Sequence, residues 1–178
     1  MNVYYAKSVL YAYPHLEAIM EQLDELVERK ALCSMNDYSP CLEIAEKILD
    51  FTAQKDVFIT LKILSDKVLK KFNEEELDCF DYKYFKQKPK EYYIGFDAES
   101  RGYFRKQIRL AKKFAELLEQ VGATDEWFEK NCMRMDFFKE MYKRVIEHEK
   151  NSFKNKPKKL KQIHKDYLKQ KVNGGLSA

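Results

Sequence analysis

Glycine and proline are scarce in this sequence, which contains 5 glycines and 4 prolines among 178 residues. Sandwiches, barrels and phosphate-binding loops need many such residues at their turns, so these architectures are disfavoured. Apolar residues make up 45% of the chain and charged residues 35%, which supplies both a core and polar helix faces. The sequence therefore predicts an all-α protein built from long amphipathic helices.

The first predicted helix covers residues 14–32. Pro14 suits a first helical position, where its missing N–H would have no partner in any case. Apolar residues then recur at helical spacing: Leu16, Ile19, Met20, Leu23, Leu26 and Val27. A loop is expected over the next eight residues, 33–40.

A second long helix is predicted to start at Pro40, with Ser39 as its cap, and to continue to about residue 72. The polar run 52–56 is a point where this helix could break. Two long helices joined by a short loop pack most simply as an antiparallel hairpin. We therefore expect an N-terminal helical hairpin over residues 1–72.

The region 73–122 has the order of a helix-turn-helix. Asn73 followed by three glutamates predicts a helix start, because the side chain caps the first turn and the carboxylates favour the positive end of the dipole. This helix should run to about Lys86. A short support helix is expected over 89–94, and a turn with Gly95 and a cap at Asp97 should follow it.

The helix predicted over 98–121, ending at Gly122, carries opposite faces of different chemistry. On a helical wheel its apolar residues fall on one half, which is expected to enter the core: Phe104, Ile108, Ala111, Phe114, Ala115, Leu117, Leu118 and Val121. Its cations fall on the other half: Arg101, Arg105, Arg109 and Lys112, flanked by Lys106 and Lys113. Such a helix can enter a DNA major groove, although a solvated cationic surface has the same pattern.

The remaining sequence predicts helices over 123–153, the first starting at Thr124 and the second at Asp136. Residues 154–178 are expected to form a frayed helix or a flexible basic tail, because there are nine lysines from Lys150 to Lys171, with these two included. Through Asp97 the chain has 13 basic and 18 acidic residues, and after it 20 basic and 11 acidic. This polarity indicates that the C-terminal half meets a polyanion, although a solvated lysine-rich tail contributes to the same numbers.

Several classes of function find no support in the sequence. The four cysteines and three histidines are scattered without metal-ligand spacing, and no arrangement of acid, base and nucleophile is visible, so no enzyme, metal or cofactor is predicted. Neither a signal peptide nor an apolar run long enough for a membrane span occurs, which excludes a membrane partner from the prediction. We expect a cytoplasmic protein with reduced thiols.

Three segments carry a resemblance to a known family. They are FNEEELDCFDYKYF, KPKEYYIGFD and SRGYFRKQIRLAKKFAELL, which together cover most of residues 72–119. This stretch resembles the promoter-reading region of sigma factors, and most of all the phage-type transcriptional regulators of the ArpU and RinA kind. Residues 16–56 are similar, more loosely, to the helical region that precedes it in those proteins.

The resemblance implies a DNA-binding transcriptional regulator with a sigma-like helix-turn-helix and the helix 98–121 as its recognition helix. Duplex DNA would be the partner, and RNA polymerase a second one. The implied DNA-binding residues, together with the two lysines that follow on the helix, are Ser100, Arg101, Tyr103, Arg105, Lys106, Arg109, Lys112 and Lys113. Two alternatives stay open: a helical protein–protein interaction module without nucleic-acid binding, and an RNA-associated factor that uses the lysine tail.

Overall fold

The computed structural model describes residues 1–36, 41–93 and 101–151, and within these ranges the chain is predominantly helical and contains no strand. The helices are α1 (Val3–Ala12), α2 (Leu16–Asn36), α3 (Cys41–Leu69), α4 (Glu74–Phe80), α5 (Arg101–Gln120), α6 (Asp125–Asn131) and α7 (136–151). The prediction of an all-α protein is confirmed.

The chain divides into two compact units, Met1–Tyr142 and Lys143–Ala178. In the second unit, the described residues 143–151 are helical. Over the described ranges, no helix combines the length and the apolar content that a bilayer crossing requires.

Helices α2 and α3 pack against each other. Lys62 on α3 pairs with Glu17 at 3.0 Å, and Lys55 pairs with Asp24 at 2.5 Å, so the two helices run antiparallel. The possible break at 52–56 does not occur, since α3 is helical throughout. The polar side chains of this run have partners in the helical conformation: Lys55 pairs with Asp24, and Thr52 and Gln54 hydrogen-bond to the preceding turn of α3.

The loop expected over 33–40 does not begin at residue 33. Helix α2 continues to Asn36, so residues 33–36 are helical. Ser39 and Pro40, the expected cap and first residue of the next helix, lie outside the described residues. Outward-facing apolar residues are frequent on α3, and four of them are exposed: Leu42, Leu49, Ile59 and Ile63.

Helix α1 has no counterpart among the predicted elements, although it lies in the middle of the core. Asn2 caps it by accepting a hydrogen bond from the backbone N–H of Tyr4 at 2.9 Å. All but three of its ten residues are buried, so its sequence shows no polar face. Amphipathic periodicity cannot detect a helix that is buried on nearly every side. Helix α5 packs directly on α1.

The helix predicted over residues 74–86 forms, but in two parts. Asn73 accepts from the backbone N–H of Glu76 at 2.9 Å, and Glu76 accepts from the backbone N–H of Asn73 at 3.1 Å, which makes a reciprocal capping box. After α4 the chain widens into a π-helical turn over Asp81–Phe85. It ends at Lys86, whose backbone is left-handed with φ of 53°.

The support helix expected over 89–94 is not an α-helix in its described part. Residues Lys90–Tyr93 form a single 3-10 turn. Gly95 and Asp97, the expected turn and cap, lie outside the described residues, as does residue 94. The sigma-like arrangement of two helices across this turn therefore stays a prediction.

Helix α5 ends where the sequence indicated. Gly122 has φ of +106°, a conformation that favours glycine and that closes the C-terminus of the helix. Thr124 then caps α6 by accepting from the backbone N–H of Trp127 at 3.2 Å. Both boundaries follow from local backbone chemistry.

One aromatic-rich core joins the helices of the first unit. Phe80 of α4 lies edge-on to Phe72, with ring centroids 5.0 Å apart, and its centroid is 5.9 Å from that of Phe114 on α5. Phe128 of α6 and Phe138 of α7 are fully buried in the same cluster. Large apolar rings bury much area per residue, so a few of them lock α5 in position against α4 and the helical hairpin.

Candidate nucleic-acid interface

The rotation of α5 about its own axis decides which of its residues face outward. Its buried side consists of Gln107, Leu110, Ala111, Phe114, Ala115 and Leu118. The prediction that Phe104 and Ile108 enter the core is wrong, because their side chains are 45% and 48% exposed. At the N-terminal end of α5, the side chains that face inward are instead those of Tyr103 and Gln107, which point toward α4 and the π turn.

Three cations stand on the outer side of α5. Arg105, Arg109 and Lys112 are exposed, and none of them has an ion-pair partner in the part of the chain that the structure describes. Spacings of four and three residues place them on one face of the helix. Together with Ile108, Lys113 and Glu116 they line a shallow surface groove. We call Arg105, Ile108, Arg109 and Lys112 the outer face of α5.

Two further lysines of α5 are held by glutamates of α4. Lys113 donates to both carboxylate oxygens of Glu76, at 2.9 and 3.0 Å, and its Nζ lies 4.5 Å from the centroid of the Phe72 ring. Lys106 reaches Glu75 at 3.4 Å. Both lysines were predicted to bind DNA, and the structure shows each in an ion pair with the neighbouring helix.

The carboxyl group of Glu76 is tuned by these contacts. Burial by itself raises its pKa, but the hydrogen bond from Lys113 and the one from the Asn73 backbone, with the charges of Lys113 and Lys106, outweigh burial. The net result is a pKa below the usual value for glutamate. Glu76 is therefore charged at neutral pH, and the positive charge of Lys113 is largely compensated.

Gln107 forms a polar link between α5 and α4 inside the core. It is only 3% exposed, and its Nε2 donates to the carbonyl of Cys79 and to the hydroxyl of Tyr103, both at 2.7 Å. Cys79 is the next-to-last residue of α4 and lies two residues before the π turn. This link sets the register of α5 against α4.

Tyr103 lies on the inner side of α5, away from the three exposed cations. Its ring packs edge-on against that of Tyr82, with centroids 5.8 Å apart, and burial raises the pKa of its hydroxyl. Tyr103 was predicted to bind DNA, and the structure places it in contact with Tyr82 and Gln107 on the inner side of α5. Ser100 lies outside the described residues. Arg101 begins α5, but its side chain lies outside them too.

A second set of contacts, which the sequence did not suggest, ties the segment after the π turn to α4. Asp81 is buried and accepts from the backbone N–H groups of Gln87 and Lys88, both at 3.1 Å, and from the hydroxyl of Tyr93. Asp78 accepts from Lys88 at 2.5 Å. Aspartates three residues apart on one helix were the only sequence signal for this arrangement. It holds residues 87–93 against α4 and the π turn.

No set of three histidine, cysteine or carboxylate side chains close enough to hold a metal ion occurs in the described ranges. A comparison of the chain with protein-family models finds no match. Comparisons with curated proteins and with solved structures find none either.

Proposed function

We propose that this protein binds duplex DNA through the outer face of α5 and acts as a transcriptional regulator. The observation that carries the proposal is the trio of exposed cations on one helix face, Arg105, Arg109 and Lys112, each without an ion-pair partner among the described residues. The resemblance of residues 72–119 to sigma-like regulators supports the regulatory role.

Elementary electrostatics favours a polyanion as the partner of this face. Surface cations of helical proteins commonly pair with acidic side chains, as Lys106 and Lys113 do here. Arg105, Arg109 and Lys112 lie within about two helical turns and outnumber Glu116, the acidic residue that lines the same groove. The resulting local positive potential favours a phosphate backbone, which the cations neutralise with release of counterions. A helix has a diameter that fits the major groove of B-DNA.

The roles of the three cations follow from their positions on α5. Arg105 and Arg109 lie nearer the N-terminus of the helix, and we assign them to base edges, where a guanidinium can donate two hydrogen bonds to guanine. Lys112 lies one turn further along, and we assign it to a phosphate. Lys113 contributes less, because Glu76 already holds it.

The test is a salt titration of binding to duplex DNA. Wild-type affinity should fall steeply with salt, with a slope of log K against log salt of about −0.9 for each neutralised phosphate. The double variant Arg105→Ala/Arg109→Ala should lower affinity at least about 10-fold, since each arginine–base contact contributes about 1–3 kcal/mol. The matched control is Arg29→Ala/Lys47→Ala, which removes two exposed cations of the helical hairpin and should leave affinity unchanged.

Three outcomes would contradict the proposal. Absence of duplex binding at about 50 mM salt would contradict the proposal, because electrostatic attraction between cations and DNA phosphates is strong at low salt. Equal losses in both double variants would indicate a general charge effect rather than a site on α5. Tighter binding to structured RNA than to any duplex DNA would favour the RNA-associated alternative. If the protein is instead an interaction module that binds a protein partner through the helical hairpin, the arginine substitutions should leave its binding to that partner unchanged.

A further inference from the structure

An apolar side chain lies within the cationic outer face of α5. Ile108 is 48% exposed and lines the same shallow groove as Arg105, Arg109 and Lys112. It follows Arg105 by three residues and precedes Lys112 by four, so all three side chains share one helix surface. Phe104, 45% exposed, lies one turn before Ile108. The outer face thus combines cations with an apolar strip.

This combination matches one feature of duplex DNA. Major-groove base edges present hydrogen-bond donors and acceptors, and the C5-methyl group of thymine is the apolar group among them. Exposed isoleucines also occur on α3, so it is the position of Ile108 among the cations of the outer face of α5 that points to a ligand. In a major groove where two arginines contact guanines, the apolar group of the DNA that a neighbouring isoleucine can contact is a thymine methyl.

We infer that Ile108 is a specificity-determining residue that contacts a thymine methyl group, and that the DNA site of this protein contains thymine beside the guanines read by Arg105 and Arg109. This inference rests on the proposed function, since it requires α5 to lie in the major groove. Contact buries the isoleucine against the methyl and removes both from water, whereas cytosine offers no such group at the same place.

Removal of the methyl group alone tests the contact. Duplexes that bind the full chain are selected from a random library, and each thymine of a selected duplex is then replaced by deoxyuridine, which keeps base pairing and the hydrogen-bonding edge. Wild-type protein should lose about 3- to 5-fold in affinity at one or two of these positions, the effect of one methyl group leaving an apolar contact. The change is made in the DNA, so the fold of the protein is not disturbed.

Two protein variants assign the effect to its residue. Ile108→Ala should bind the thymine and uracil duplexes with equal affinity. The control Ile63→Ala removes an isoleucine of similar exposure, 54%, from α3 and should keep the wild-type preference for thymine. A double-mutant cycle between protein and DNA then gives the coupling of Ile108 to the methyl group.

The possible failures of the inference and of the proposed function are distinct. If wild-type protein binds thymine and uracil duplexes equally, or if selection yields no base preference, the inference is overturned while salt-dependent DNA binding stands. If Ile108→Ala keeps the thymine preference, another residue reads the methyl and the inference is again overturned. If no duplex is bound at all, the proposed function fails and the inference fails with it.

Discussion

Glu76 and Lys113 join the start of α4 to the middle of α5, with Lys113 Nζ 2.9 and 3.0 Å from the two carboxylate oxygens. The same carboxylate also caps α4, because it accepts from the backbone N–H of Asn73 at 3.1 Å. One side chain therefore begins a helix and positions its neighbour. The pairing turns Lys113 toward α4, while Lys112, the next residue, stays on the outer face of α5.

Replacement of Glu76 by Gln should lower the free energy of unfolding by about 1 kcal/mol at pH 7. Glutamine can still accept the hydrogen bond from the backbone of Asn73, since both Glu and Gln serve at this position of a capping box. The loss therefore reports the pairing with Lys113. Urea unfolding followed by circular dichroism measures it, with Glu74→Gln as the control, an exposed glutamate of the same helical turn.

The pH dependence of this difference has a defined sign. Because the folded-state pKa of Glu76 is lowered, its contribution to stability is fully present above the unfolded-state pKa. It is lost as the pH falls through the folded-state pKa, where the carboxylate takes up a proton. Wild type and Glu76→Gln should thus converge in stability at acidic pH. A difference that stays constant down to about pH 2 would contradict an ionic contribution.

Lys112→Ala and Lys113→Ala should have different effects, although they remove the same charge from adjacent positions. Lys112→Ala should reduce the steepness of the salt dependence of DNA binding by about 1 and leave stability within about 0.5 kcal/mol of wild type. Lys113→Ala should lower stability by about 1 kcal/mol, because Glu76, largely buried, loses its partner. Salt titrations and urea unfolding of both variants give the comparison. If Lys112→Ala has the same salt slope as the wild-type protein, Lys112 does not contact a phosphate.

Gln107→Ala should lower stability by about 2 kcal/mol or more. The substitution removes the donor to the buried Cys79 carbonyl and leaves a cavity between α4 and α5. Gln107→Leu should cost less, because it fills most of the space and removes the Gln107 Oε1 atom, which is buried without a hydrogen-bond partner among the described residues. Thermal and urea unfolding test the order of the two variants. If Gln107→Leu lowers stability as much as Gln107→Ala, the hydrogen bonds of Gln107 contribute more to stability than the packing of its side chain.

Cysteine reactivity should follow burial. Cys132 is fully buried, and burial raises the pKa of its thiol to about 12, whereas Cys41 is exposed. The thiolate is the reactive form, so native Cys132 should be alkylated far more slowly than Cys41. Iodoacetamide labelling with peptide mass spectrometry, in buffer and in urea, measures both rates. Rapid labelling of Cys132 in buffer would mean that the contacts around α6 open readily.

Three helix boundaries with a local chemical signal were predicted correctly from the sequence. Asn73 with Glu76, Gly122 and Thr124 mark starts and ends correctly. Their signals are hydrogen bonds and backbone preferences that act within one helical turn, so they operate without the rest of the chain. The all-α class follows in the same way, from helical periodicity together with the scarcity of glycine and proline.

Tertiary packing decided what local sequence could not. The buried helix α1 lacks a polar face and gave no periodic signal, and α3 crosses its polar run because α2 and Lys55–Asp24 support it. The orientation of α5 depends on what packs on it. Gln107 is drawn inward by the carbonyl of Cys79, and Ile108 is thereby left outside.

The candidate site was likewise reached only in part from the sequence. A helical wheel placed Arg105, Arg109 and Lys112 outside, where the structure has them, because charged side chains leave a core whatever the neighbours are. It could not show that Lys106 and Lys113 are paired with α4, since those partners lie more than thirty residues away in sequence. The sequence determines the helices and their charge by short-range chemistry. Contacts between distant residues determine which charges remain uncompensated and which apolar side chain stands among them.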